Sequence, residues 1–220
     1  MNRVLALLIG YLFGMIEGSL IIGKLFGVDI RKTGDGNPGT ANTFRNVGKK
    51  AGFLVMFVDI TKAAVAIWLA GLLAGEDASM RELLKLYGFA GAVLGHDFPF
   101  YLHFKGGKGS ACFSGFVIFH HFIAAVPLFV VFCATMYFTH FVALAFWIAY
   151  AELLIYFIIA VNTGLLPLSG ALAVEFFAVY LALFALTLVK HRANIRRMIQ
   201  GTEHKTYFLL KPKTEEANKK

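Results

Sequence analysis

Charge is scarce in this chain. Of 220 residues only 15% are Asp, Glu, Lys or Arg, where a soluble domain carries about a quarter. Cysteine is scarcer still, with two residues. Two cysteines cannot build a disulfide framework, and Cys112 and Cys133 sit in apolar context without metal or redox spacing, so both read as small buried hydrophobes. The shortage of charge excludes a soluble globular enzyme and a disordered chain. In its place the sequence is 58% hydrophobic and 15% aromatic, with 23 Phe, and its mean hydropathy is +0.69. The apolar runs are long and continuous rather than alternating, which excludes an outer-membrane barrel. What remains is an all-α, polytopic membrane protein, whose spans satisfy their own backbone hydrogen bonds.

Apolar stretches cover about 4–23, 51–74 and 86–102, then run almost unbroken from 111 to 189. The first follows Met1-Asn2-Arg3 and has no small-residue cleavage site after it, so it reads as a retained span rather than a signal peptide. All but four of the 21 Lys and Arg (Arg3, Lys62, Arg81 and Lys85) fall in three segments, 24–50, 103–110 and 190–220. Segment 75–85 is net acidic. The positive-inside rule puts the basic segments in the cytoplasm and 75–85 outside. Parity then requires an even number of spans between 110 and 190. Breaks near Pro127, at Thr139-His140 and at Asn162-Thr163-Gly164 favour four. The expectation is seven spans, with five as the alternative, the N-terminus outside and the C-terminus cytoplasmic. One domain, 1–210, is followed by a charged flexible tail, 211–220.

The polar residues gather in the three basic segments. In the first, Gly34, Gly36 and Gly39 alternate with Asp35, Asn37 and Pro38, a tight loop whose amides can form a concavity for a phosphate, flanked by Arg31, Lys32 and Arg45. A plain interhelical loop on lipid headgroups has the same composition. In the second, Gly106-Gly107-Lys108-Gly109 precedes Ser110 and an apolar helix. Its free amides, the positive helix end and Lys108 suit an anion. The spacing is not that of a nucleotide-binding P-loop. In the third, His191 and Asn194 lie three apart and share a helix face with Ile195, although a basic juxtamembrane helix on anionic lipid reads alike. Glu17, Asp59, Lys62, Glu152 and Glu175 are ionisable residues at membrane depth, and Asp59 and Lys62 are spaced to pair. His120, His121 and His140 read as core or interfacial residues, and no ligand spacing suggests a metal.

Together the three segments resemble the bacterial acyl-phosphate:glycerol-3-phosphate acyltransferase family (PlsY type). The likeness runs from Tyr11 to Lys205. The second and third segments match its pattern at Gly95-His96, Phe98-Pro99, Phe104-Lys105-Gly106-Gly107-Lys108-Gly109, His191-Arg192, Asn194-Ile195, Arg197, Gly201, Glu203 and Lys205. The first departs from it. Asp35 stands where the family has Ser, Thr40-Ala41 is reversed, Pro38 replaces an aliphatic residue, and Gly14-Met15-Ile16-Glu17 replaces Gly-Ser-Ile-Pro. A carboxylate at 35 would repel a phosphate unless Arg45 or Lys108 pairs with it.

The resemblance implies transfer of a fatty acyl group from acyl phosphate to glycerol 3-phosphate in the bacterial inner membrane, with no cofactor and no nucleic acid. The soluble enzyme that makes acyl phosphate is a candidate partner. Arg45, Lys108, His191, Asn194 and Asp35 are the expected catalytic residues. Gly36, Asn37, Gly39, Thr40, Asn42, His96, Lys105, Gly106, Gly107, Gly109 and Ser110 are expected to bind substrate. Glu203, braced by Arg196 or Lys205, and Lys205 itself are expected to be structural. Two other readings stay open: a diverged relative with another acceptor, and a membrane anion transporter or lipid-phosphate binder. A transporter wants polar groups at mid-membrane and paired broken helices, whereas the strong motifs here share one face.

Overall fold

The computed structural model describes residues 1–207, and the expected tail 211–220 lies outside them. Among the described residues there are ten α-helices and no strand. The first apolar stretch forms α1 (Asn2–Gly14) and α2 (Gly18–Leu25), separated by a break at 15–17. A short helix, α3 (Thr40–Asn46), leads into α4 (Lys49–Leu72). Next comes α5 (Ala78–Asp97). It starts well before the expected third stretch, so Arg81, Glu82 and Lys85 belong to a helix rather than a loop. Asp77 begins it, its side chain accepting from Met80 N at 2.8 Å.

Four helices lie between 110 and 190: α6 (Ser110–His120), α7 (Phe122–Thr139), α8 (Val142–Asn162) and α9 (Gly170–Lys190). The break between α6 and α7 falls at His121, not at Pro127, which sits inside α7. A last amphipathic helix, α10 (Arg192–Ile199), follows directly on α9.

Among the described residues five spans are long and apolar enough to cross a membrane: Asn2–Leu25, Lys49–Leu72, Phe122–Thr139, Val142–Asn162 and Gly170–Lys190. The 20 residues of α5 are diluted by charge. The 11 residues of α6 reach only about 16 Å at 1.5 Å per residue, half the hydrocarbon thickness. The exterior is apolar, with Phe57, Phe129, Tyr137 and Phe138 all exposed. Cys112 is buried as expected, but Cys133 is exposed on this apolar exterior.

Glycine lets α1 and α5 pack backbone to backbone. A Cβ on Gly10 would lie 2.1 Å from Gly88 O, and one on Gly91 2.1 Å from Leu7 O. In lipid, where apolar burial gives little drive, such close approach is what holds helices together. One end is tied by Arg3, whose Nη2 donates to Glu175 Oε2 at 2.8 Å while Tyr87 Oη donates to Glu175 Oε1 at 2.8 Å, joining α1, α5 and α9. The centre is aromatic. Phe89 stacks on Phe116 at 4.5 Å, and buried Tyr180 donates to Tyr150 O at 2.7 Å. All three basic segments meet at the opposite end, where Thr206 N donates to His140 O at 2.9 Å and Arg45 Nη1 to Thr206 Oγ1 at 3.3 Å.

Candidate active site

The first segment is folded by its own polar side chains. Asn42 is the staple: its amide nitrogen donates to Thr33 O at 2.8 Å and Asn37 O at 3.1 Å, while its oxygen accepts from Asn46 at 2.7 Å. Gly34, at φ +61°, packs so tightly on this knot that a Cβ would lie 2.2 Å from Asn46 Nδ2. Asp35 Oδ1 accepts from Asn37 N at 3.1 Å, and Oδ2 pairs with Arg45 Nη2 at 2.9 Å. The neutralising pair that a carboxylate at 35 demands is therefore present. Arg31 instead turns outward onto Asp29 at 3.0 Å, and neither it nor Lys32 joins Arg45 at the cavity described below.

The second segment differs from expectation in its amides. Gly106 N donates to Asp97 O at 3.1 Å and Gly107 N to His96 O at 2.9 Å. These two groups close the turn and are not anion ligands. Gly109, at φ +68°, starts α6, so the amides of the first turn from Ser110 point out of the helix end. Lys108 is aimed across the site, its Nζ donating to Asn194 Oδ1 at 2.6 Å. Lys105 is exposed, away from the cavity.

The third segment supplies the opposite wall. His191 is buried at the junction of α9 and α10, its Nδ1 2.8 Å from Thr187 O. A carbonyl only accepts, so Nδ1 carries the proton and Nε2 the lone pair. Burial pushes its pKa down to about 4, with Lys108 and Lys190 adding to the effect. Asn194 donates to Glu203 Oε1 at 2.6 Å, and Glu203 Oε2 pairs with Arg197 Nε at 2.8 Å. Glu203 thus links Asn194 to Arg197, and not to Arg196 or Lys205. Burial also holds Lys108 below an ordinary lysine, and lowers Arg45 against the raising pull of Asp35.

These walls enclose a cavity of about 350 Å³ with two unlike ends. The polar end is lined by Asp35, Asn37, Gly39, Thr40, Asn42, Arg45, His96, Lys108, Ser110, His191, Asn194 and Glu203. Thr40 Oγ1 is buried there with no hydrogen-bond partner among the described residues. From it an apolar lane runs between α6, α7 and α8, past Phe113, Val117, Leu128, Phe132 and Phe146. Gly36, Gly106, Gly107 and Gly109 lie behind the lining, and Lys205 is exposed outside it. His204 and Asp59 line the cavity without having been assigned a part. His204 follows Glu203 directly, which was the available signal. The lane residues had none, because they look like any span. Among the described residues no cluster of His, Cys, Asp and Glu is arranged to hold a metal.

Residues 4–201 match the family model described as glycerol-3-phosphate acyltransferase. A glycerol-3-phosphate acyltransferase of Enterococcus faecalis is 36% identical, aligned over 97% of this chain and 96% of its own. The one from Bacillus cytotoxicus is 37% identical over 95% and 98%. The crystal structure of PlsY (YgiH), an integral membrane glycerol 3-phosphate acyltransferase in its glycerol 3-phosphate form, superposes with a TM-score of 0.77 at 30% identity, covering 94% of this chain and 96% of that one. Its lysophosphatidic acid form gives 0.76 at 29%.

Proposed function

The chain belongs to the glycerol-3-phosphate acyltransferase family, and from that premise we propose that it moves a fatty acyl group from acyl phosphate to a hydroxyl of glycerol 3-phosphate. The products are lysophosphatidic acid and phosphate, and the reaction is the first acylation of phospholipid synthesis. It is an integral enzyme of the bacterial cytoplasmic membrane. The observation that carries the reading is the two-ended cavity, with cations and polar groups at one end and an apolar lane running from them between spans.

Acyl phosphate is already an activated anhydride, so no covalent enzyme intermediate is needed. The acceptor hydroxyl attacks the carbonyl, the ester C–O bond forms, the bond to phosphate breaks, and phosphate leaves. Catalysis then rests on positioning two phosphates side by side and stabilising charge. Lys108 and Arg45 bind phosphate, with Thr40 Oγ1 and the first-turn amides of α6 as further donors. Nε2 of His191, neutral at pH 7, accepts the hydroxyl proton, unless the substrate's own phosphate takes it. Asn194 orients Lys108, and the lane takes the acyl chain. The soluble enzyme that makes acyl phosphate would deliver at this face.

The topology belongs to the same reading. The N-terminus lies outside, and the chain makes seven helical passes counting α1 and α2 as one, with α6 a short one. Basic residues concentrated at the end that holds the site support it.

The test is purified protein in detergent with acyl phosphate and a panel of acceptors: glycerol 3-phosphate, other polyol phosphates and free polyols. Acylation of glycerol 3-phosphate is expected, and failure with every acceptor would overturn the proposal. The Asp35–Arg45 pair keeps a different acceptor as the second reading, and the panel separates the two.

A further inference from the structure

Beside the cavity, with Asp59 and His96 in its lining, lies a buried group of polar side chains whose part in the reaction is not yet described. Lys62, Asp59, Glu17 and His96 are each no more than 4% exposed, in a part of the molecule surrounded by apolar helices. Lys62 Nζ lies 2.8 Å from Asp59 Oδ1, 2.5 Å from Ile16 O and 3.0 Å from His96 Nδ1. An ammonium has three protons and accepts nothing. Three acceptors at these distances use all of them, so Nδ1 of His96 must offer its lone pair. The single proton of the neutral ring then sits on Nε2.

Glu17 Oε1 also approaches Nδ1, at 3.4 Å. That contact is longer than the one to Lys62, and a proton on Nδ1 would face the Lys62 protons head-on. The other edge of the ring lies against Gly107, where a Cβ would come 2.1 Å from Nε2, and His96 lines the cavity with Lys108 and Arg45. The imidazole thus joins the buried Lys62 pair to the phosphate end of the site.

We propose that Lys62 is a positioning residue for acyl transfer, fixing the tautomer of His96 so that its Nε2–H is donated to an oxygen of a bound phosphate. The proposal rests on the acyltransferase reading for the phosphate's identity, but not for the tautomer. The wrong tautomer would turn a lone pair toward the anion and repel it. Asp59 holds the ammonium in place, and glycine at 107 leaves room for the ring.

The experiment has two arms. In the first, histidine-selective 15N NMR is recorded on the intact protein in nanodiscs, with the His96 signals assigned by their loss in His96→Gln. The expected spectrum has Nδ1 unprotonated and Nε2 protonated, with Nε2 shifting as inorganic phosphate is added. A protonated Nδ1, or an Nε2 indifferent to phosphate, overturns the proposal.

In the second arm, Asp59→Asn/Lys62→Met removes the pair without leaving a buried charge, and KM and kcat are measured for each substrate. The expected result is a rise of about tenfold in KM for one phosphate substrate, with kcat changed far less; which KM moves identifies the phosphate. In a His96→Gln background, where no tautomer exists, the pair should have no further effect. An equal loss in both backgrounds means a merely structural role and overturns the proposal. If the pair variant does not fold, the first arm still decides. A wild-type protein that binds phosphate with the expected tautomer yet acylates nothing refutes the acyltransferase reading alone.

Discussion

Replacing Asp35 by Ser tests what this chain does differently from its family pattern. Asp35 Oδ2 stands 2.9 Å from Arg45 Nη2, and both side chains are largely buried, at 15% and 21% exposed. An arriving phosphate must compete with this carboxylate for the charge of Arg45. A hydrogen bond between charged groups contributes about 1.5–3 kcal/mol, so releasing Arg45 should strengthen phosphate binding about ten- to hundredfold. Serine keeps the local turn, because its hydroxyl can accept from Asn37 N as Oδ1 does now. The expected outcome for Asp35→Ser is a KM for glycerol 3-phosphate at least tenfold lower, with kcat little changed, in steady-state assays varying each substrate. A carboxylate that instead takes the acceptor's proton predicts loss of turnover with acyl-phosphate binding intact. Unchanged rate and affinity would refute both accounts.

Gly107→Ala should abolish most activity, since its Cβ would meet the His96 ring at 2.1 Å; a Gly107→Ala/His96→Ala variant no slower than His96→Ala alone would confirm that the clash is the cause. His191 has a pKa depressed to about 4 from 6.5, so the unfolded chain binds a proton before the folded one does. Its contribution, on the order of 3 kcal/mol, is complete above about pH 6.5 and is lost as pH falls toward 4; thermal unfolding of His191→Gln in detergent should lack that slope. With Cys112 and Cys133 replaced, Ala78→Cys and Lys205→Cys should react with an impermeant thiol reagent from opposite sides of the membrane. Labelling of both from one side would end the topology.

Much of this was legible because the site's chemistry sits in charged, glycine-rich loops inside an otherwise apolar chain. Such loops stand out, and a common positive sign places them on one face. Inside 111–189 the ends of α7 at Thr139 and of α8 at Asn162 were legible from the polar residues there, whereas the break between α6 and α7 was not. Pro127 drew attention as a breaker, yet it is carried inside α7, where apolar surroundings and neighbouring helices tolerate it. The true break is at His121. The start of α5 was hidden by Arg81, Glu82 and Lys85, although the Asp77 cap was there to be read. The glycine pair at 106 and 107 suggested free amides, but the turn consumes them, a choice that depends on backbone direction and not on composition. Glu203 could reach Arg196, Arg197 or Lys205 by spacing, and the phase of α10 selects Arg197. Cys133 faces outward because a membrane protein's exterior is as apolar as its core.

The two phosphate-binding cations are not equivalent, and a double-mutant cycle shows how. Arg45 is matched by a carboxylate, whereas Lys108 is held by the neutral oxygen of Asn194 at 2.6 Å. Lys108 therefore offers its charge to an arriving phosphate without first losing a charged partner. Lys108→Ala should lower kcat/KM about ten- to hundredfold, and by a factor that changes little between Asp and Ser at position 35, because Asp35 reaches Lys108 only through its field and not through a contact. Arg45 behaves otherwise. The gain from Asp35→Ser consists of freeing Arg45, so in an Arg45→Ala background that gain should vanish. Strong coupling of Asp35 to Arg45 with only weak coupling to Lys108 is the signature of a carboxylate that occupies one arm of the phosphate site. A gain that persists without Arg45 would mean that Asp35 repels the phosphate directly, and the occupancy account would be wrong.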